Sequence, residues 1–200
     1  MQKYKELIFA SHNNGKITEI REMLAPLGIK VLSGNDLQLP DVEETGQTFE
    51  ENAYIKALAA AKEQNMPCIA DDSGLCVDAM GGRPGVYSAR YAPNRDFSKG
   101  MDKLLNELAE TKSSNRAAHF SCVIVLAYPS GKYKAFEGRV DGNISTQKSG
   151  NAGFGYDPIF IPTGFTRSFA EFDSEEKNKI SHRGRALQKL ISYLTDNNGL

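Results

Sequence analysis

The chain has no excess of either charge: 24 Lys and Arg stand against 25 Asp and Glu, a formal net charge of -1 over 200 residues. No overall field then draws it to nucleic acid or to an anionic membrane, and any polyanion must be held by local clusters. Long apolar runs are also missing. Leu7 to Ala10 and Val123 to Tyr128 fall far short of a bilayer span, so neither an export signal nor a membrane helix is expected. Cysteine is scarce: Cys68, Cys76 and Cys122 cannot all pair within the chain, and none belongs to a CxxC or Cys/His metal spacing. This fits a reducing cytosol and three core thiols in strand-like apolar sequence. Repeats and low-complexity tracts are absent. What remains is ordinary globular composition, 40% hydrophobic and 24% charged, enough for one two-lobed domain over residues 1–200.

Lys5 to Ala10 reads as a buried strand that runs into the polar cluster Ser11 to Gly15. A helix follows, with Ile17, Ile20, Met23, Leu24 and Leu27 at three- and four-residue steps and Gly28 placed to end it in a left-handed conformation. Ile29 to Leu32 is a second strand, and Gly34 to Gly46 a polar connection carrying Asp41, Glu43 and Glu44. Thr48 and Glu51 form a capping box that opens an Ala-rich helix through about Gln64. Cys68 to Val77 reads as a strand interrupted by a turn at Asp71, Asp72, Ser73 and Gly74. Gly81 to Gly85 is a compact turn, and Asp102 to Leu108 is helical. Ala117 to Tyr128 and Lys132 to Val140 pattern as an antiparallel hairpin. Gly150 to Tyr156 is a glycine-rich loop ahead of a short strand, Pro158 to Ile161, and Ser181 caps a final helix. This order predicts an α/β fold with a mixed central sheet flanked by helices, in two lobes with an active-site cleft between them.

Four segments carry polar groups suited to chemistry. Ser11, His12, Asn13, Asn14, Gly15 and Lys16 lie at a strand end and a helix start, where free N–H groups, the helix dipole and a lysine favour phosphate. The Walker pattern is not met, since Ala10 and Ile17 occupy two of its required positions. The bland alternative is a polar helix-capping turn. Asp71 and Asp72 follow apolar residues at a strand end, as hard oxygen donors for Mg²⁺ or as a proton acceptor for attacking water; a tight Asx turn is the alternative. Glu43 or Glu44 can complete such a metal site, or be simply solvated. Phe154, Gly155, Tyr156 and Asp157 set aromatic rings beside open backbone, a platform for a flat base or a turn anchored by buried rings. Ser174 to Arg185 gathers Lys177, Lys179, His182, Arg183 and Arg185 among acids, and His182 and Arg183, near a helix start, can donate to a carbonyl or phosphate, with a solvated helix face as the alternative. His12 and His119 read as loop or packing residues. Together the segments supply what a nucleotide requires.

The motifs SHNNGK, EETGQTFEENAYIKA, ADDSGLCVDAMGGRPGVYSARYA, GNAGFGYDPIFIP and EEKNKISHRGRAL, in this order over nearly the whole chain, resemble those of the inosine triphosphate pyrophosphatase family. The resemblance implies hydrolysis of the deaminated purine nucleotides ITP, dITP and XTP to monophosphate and pyrophosphate, which keeps them out of DNA and RNA. It implies Asp72 as general base and metal ligand, Glu43 as a second carboxylate on Mg²⁺, and Ser73 in contact with substrate. Asn13, Lys16, Lys56 and Lys177 would meet the triphosphate or sugar, Phe154 would stack on the base, and Asp157, His182 and Arg183 would lie at its edge. The position of His12 often carries glycine in the family, which points to a backbone contact there. A cytoplasmic homodimer with a small-molecule nucleotide substrate follows by the same analogy. Two rivals stand beside this reading: a pyrophosphatase for modified pyrimidine nucleotides, and a nucleotide-sensing module without turnover. No residue obviously excludes guanine.

Overall fold

The computed structural model describes residues 5–196. Its strands are β1 (Glu6–Phe9), β2 (Lys30–Ser33), β3 (Cys68–Val77), β4 (Ala117–Ala127), β5 (Tyr133–Ile144) and β6 (Phe160–Pro162). Its helices are α1 (Asn14–Leu24), α2 (Gly34–Leu37), α3 (Phe49–Gln64), α4 (Phe97–Glu110), α5 (Ser174–Ile180) and α6 (His182–Asp196). The six strands run in the order β2-β1-β3-β4-β5-β6. β1 is parallel to both β2 and β3, whereas β5 and β6 are antiparallel, so the sheet is mixed as expected.

The chain divides into two compact units. Unit 1 takes the residues up to Asp72, Cys122–Gly138 and those from Arg183 onward; unit 2 takes Ser73–Ser121 and Arg139–His182. In unit 1 the apolar stripe of α1 (Ile17, Ile20, Leu24) packs with Phe9, Ile69, Ile124 and, from α6, Leu187 and Leu190. A second unit 1 cluster sets the small face of α3, Ala53 and Ala57, against Ala70, Val123 and Val125. Unit 2 has its own core of Leu75, Leu104, Leu108, Phe120, Phe160 and Phe169. Each buried Val, Leu, Ile or Phe among them contributes roughly 1.5–3 kcal/mol of transfer free energy.

Local signals account for most boundaries. Gly28, at φ 66°, ends the short 3₁₀ extension of α1, and Asn65, at φ 50°, ends α3. Thr48 and Glu51 form the reciprocal capping box that the sequence signals. Tyr128 N–H donates to Lys132 O at 2.9 Å and closes the turn between β4 and β5. Two helices arise where the sequence signals none. The polar connection after β2 contains α2, opened by a capping box between Ser33 and Asp36. The charged stretch before Ser181 contains α5, whose cap Asp173 is likewise reciprocated by Glu176. Neither is long enough for apolar periodicity to betray it. Among the described residues no helix is long and apolar enough to cross a membrane.

Candidate active site

In unit 1, the Ser11–Lys16 segment leaves β1 and opens α1. Asn13 caps the helix, its Oδ1 accepting from Lys16 N–H at 3.2 Å, and Ser11 Oγ accepts from Asn13 N–H at 3.2 Å. The segment passes so close to Gly34 that a Cβ there would lie 3.0 Å from Ser11 O and 3.2 Å from the His12 ring. The His12 ring bonds through Nε2 to Leu39 O at 2.9 Å, and Asn35 donates to Asn14 Oδ1 at 3.2 Å. These contacts fix the loop around the start of an eleven-residue helix, with the Lys16 side chain alongside.

The largest correction concerns Asp71 and Asp72. β3 runs unbroken from Cys68 to Val77, so the acids occupy a strand and not a turn. Successive strand residues face opposite sides, which sends neighbouring carboxylates into different surroundings. Asp71 is 1% exposed; Lys16 Nζ donates to its Oδ1 at 3.1 Å, and Arg183 donates to its Oδ2 through Nε at 3.2 Å and Nη2 at 3.1 Å. Arg183 Nη1 also pairs with Glu19. Asp72 Oδ2 instead accepts from the buried Asn52 amide at 3.1 Å. Four residues further along α3, Lys56 Nζ donates to Glu44 Oε1 at 2.6 Å.

This split divides the two acids electrostatically. Burial disfavours the Asp71 anion, but the positive charges of Lys16, Arg183 and Lys56 outweigh it and hold the carboxyl well below its ordinary range. Burial dominates at Asp72 and raises its carboxyl, with Lys56 and Lys16 opposing and the Glu44 charge assisting. Burial also works against the Lys56 ammonium, yet Asp72, Asp71 and Glu44 keep it above its ordinary value. Adjacent carboxylates are thereby driven apart, one held as an anion by its cations and the other shifted toward the protonated form by burial. The cysteines fit the inert role: burial lifts Cys68 to about 12, and raises Cys122 beside the Asp71 charge.

Unit 2 holds the second group. Gly153 and Gly155, at φ 71° and 66°, fold the loop so that Asp157 Oδ2 accepts from Phe154 N–H at 2.8 Å. A Cβ on Gly153 would stand 2.1 Å from that oxygen, so no side chain fits. Lys177 Nζ donates to the same oxygen at 2.6 Å and lies 5.0 Å from the centre of the half-buried Phe154 ring. Tyr156 is an anchor: it is buried and donates to Ser88 O at 2.9 Å. His182 stacks on Phe120, centroids 4.7 Å apart. Ser73 and Gly155 are part-buried.

The structure thus gathers Ser11, Asn13, Lys16, Lys56 and Asp72 in unit 1, and Phe154, Asp157 and Lys177 in unit 2. Arg183, expected at the base edge, is 2% exposed in unit 1 and grips Asp71 and Glu19. Glu43 is exposed, whereas Glu44 reaches Lys56. Glu19 and Asn52 carried no role in the sequence reading. A signal existed for Asn52: it lies four residues before Lys56 on the same face of an otherwise Ala-rich helix.

A six-stranded mixed sheet with two adjacent carboxylates on β3, the first bound by Lys16 and Arg183 and the second by Asn52, defines a class. The profile of the Ham1 family matches residues 7–193, and the chain belongs to that family. It is 48% identical over 192 residues to the dITP/XTP pyrophosphatase of Bacillus subtilis, spanning 95% of this chain and 97% of that protein. The dITP/XTP pyrophosphatase of Mesorhizobium japonicum is 44% identical over 207 residues, covering 96% and 94%. Among solved structures, a HAM1 protein from Coxiella burnetii superposes with a TM-score of 0.88 at 43% identity, covering 96% of this chain and 98% of that one.

Proposed function

We propose that this chain hydrolyses deaminated purine nucleoside triphosphates, ITP, dITP and XTP, to the nucleoside monophosphate and pyrophosphate. The observation that carries the chemistry is the split of the two acids on β3: Lys16 and Arg183 hold Asp71, while Asp72 accepts from Asn52, one turn of α3 from the Lys56–Glu44 pair. Asp72, oriented by Asn52, takes a proton from water as its oxygen bonds to the α-phosphorus. The bond from that phosphorus to the bridging oxygen breaks, and pyrophosphate leaves. Lys16 and Lys56 offset phosphate charge, and the N–H groups of Asn14 and Gly15, in the first turn of α1, bind its oxygens.

The carboxylates supply hard oxygen donors, and among the described residues no three His, Cys, Asp or Glu side chains form a group able to hold a metal alone. That suits Mg²⁺, which commonly uses one or two carboxylates together with substrate phosphates. We assign Asp72 and, in place of Glu43, Glu44 as its holders, because Glu44 is half-buried against Lys56, one turn of α3 from the Asn52 that binds Asp72, whereas Glu43 is exposed. When bound, the ion would neutralise charge that develops on the phosphates.

Phe154 offers its ring to the base, and Asp157 and Lys177 hold that ring by binding its backbone and covering one face. Asp157 therefore supports the platform. A donor such as His182 favours a 6-oxo purine, since a 6-amino group would leave it unmet at a cost of about 1–3 kcal/mol. We assign Arg183 to holding Asp71. A cytoplasmic homodimer is inferred from the family resemblance, and sedimentation of the purified protein tests the stoichiometry.

The test is a panel of ITP, dITP, XTP, GTP, ATP and a modified pyrimidine triphosphate, with and without Mg²⁺, reading both products. Stoichiometric monophosphate and pyrophosphate from the 6-oxo deaminated purines, abolished by chelator, is the expected result. Tight ITP binding without turnover, or preference for the pyrimidine, overturns the proposal.

A further inference from the structure

Asn52 lies on the apolar face of α3 and is fully buried, a costly place for an amide unless its polar atoms are matched. Its Oδ1 accepts from Gly46 N–H at 2.8 Å, and its Nδ2 donates to Asp72 Oδ2 at 3.1 Å. A backbone N–H can only donate, so the Gly46 contact fixes which way the amide faces. The Nδ2–H end must then point at Asp72. Close approach makes this possible: a Cβ on Gly46 would lie 2.7 Å from Asn52 Oδ1 and 2.6 Å from Glu51 Cβ. One side chain therefore ties the loop bearing Glu43 and Glu44 to the carboxylate on β3.

We propose that Asn52 is a positioning residue, orienting the Asp72 carboxylate and setting its spacing from the acidic loop through Gly46, so that both carboxylate sources meet one cation. This rests on the reading of Asp72 and Glu44 as the metal-holding acids. Hydrogen-bond partners of ligating carboxylates govern affinity by about 10–100-fold in other metal sites.

The experiment compares wild type with Asn52→Ala, Asn52→Asp and Gly46→Ala. Mn²⁺ binding is titrated by EPR in the presence of the α,β-methylene analogue of ITP, alongside kcat and KM for ITP and a thermal melt. Asn52→Ala should weaken Mn²⁺ about 10–100-fold. It should also lower kcat about 100-fold, as expected of a misplaced group, with KM for ITP within threefold. Asn52→Asp keeps the acceptor for Gly46 but loses the donor to Asp72, and should be as impaired in kcat as the alanine variant. Gly46→Ala pushes the loop from the amide and should weaken Mn²⁺ about tenfold. A folded Asn52→Ala with wild-type Mn²⁺ affinity and kcat overturns the proposal, as does full kcat in Asn52→Asp. Should Asn52→Ala fail to fold, wild-type behaviour of Gly46→Ala overturns it equally. Wild type that neither binds the analogue nor releases pyrophosphate would instead sink the functional reading itself.

Discussion

The two units bury charge in opposite styles. Unit 1 spreads it over a network: Glu19, Arg183, Asp71 and Lys16 are linked in series, with Lys56 and Glu44 paired near Asp72. Unit 2 sets the Lys177–Asp157 pair, at 2.6 Å, among rings, with the Lys177 ammonium 5.0 Å from Phe154 and 5.9 Å from Phe169. A polyphosphate carries several charges and gains one during reaction, so its binder needs many cations and one adjustable acid. A purine base is flat and uncharged. Its binder needs a ring held still, and a desolvated ion pair that ties backbone to helix does that.

The comparison breaks most sharply at Asp72. Asp72→Asn should cut pyrophosphate release about 10³-fold while the thermal melt shifts little; a variant keeping a tenth of the rate would remove the proton-acceptor role.

Asp71→Asn should act on the fold first. Replacing the carboxylate removes the anion that Lys16 and the buried Arg183 share, leaving Glu19 as the acid paired with Arg183, and should cost about 3 kcal/mol in urea unfolding. The pH dependence has a definite sign. Because the folded protein holds Asp71 below its ordinary range, the unfolded chain binds the proton first as pH falls. Its stabilisation is complete above about pH 4 and shrinks as pH drops further toward the lowered folded value. Acid unfolding curves of Asp71→Asn should be flatter there than those of wild type, and parallel curves would contradict the assignment.

Among the acidic-loop residues, Glu44→Gln should raise the Mg²⁺ needed for half-maximal rate by about 10–100-fold, with Glu43→Gln within about twofold of wild type. The reverse order would return the metal to Glu43. In unit 2, Phe154→Ala should raise KM about tenfold at unchanged kcat, the loss of one base stack of about 1–3 kcal/mol. An unaltered KM for ITP would show that the ring is not the platform.

Much of this was legible in the residues. Thr48 with Glu51, Gly28 and Asn65 mark helix ends by local chemistry, and SHNNGK and GFGYDP announce loops through glycine and asparagine. Asp71 and Asp72 were visible as a pair but misplaced in a turn, because adjacent acids followed by Ser-Gly have turn propensity in isolation. Lys16, Arg183 and Asn52, distant in sequence, supply the partners that let these acids lie in a strand. Glu44 was indistinguishable from Glu43 until Lys56 was seen against it.

The sequence alone determined the alternation of strands and helices, the helix caps, and the kinds of group available for phosphate and base. Those depend on neighbours within a few residues and on the periodicity of apolar side chains. Tertiary structure decided which acid pairs with Lys16 and Arg183 and which accepts from Asn52. Charge energies depend on burial and on distances across the fold, and adjacent strand residues face opposite surroundings whatever their shared chemistry.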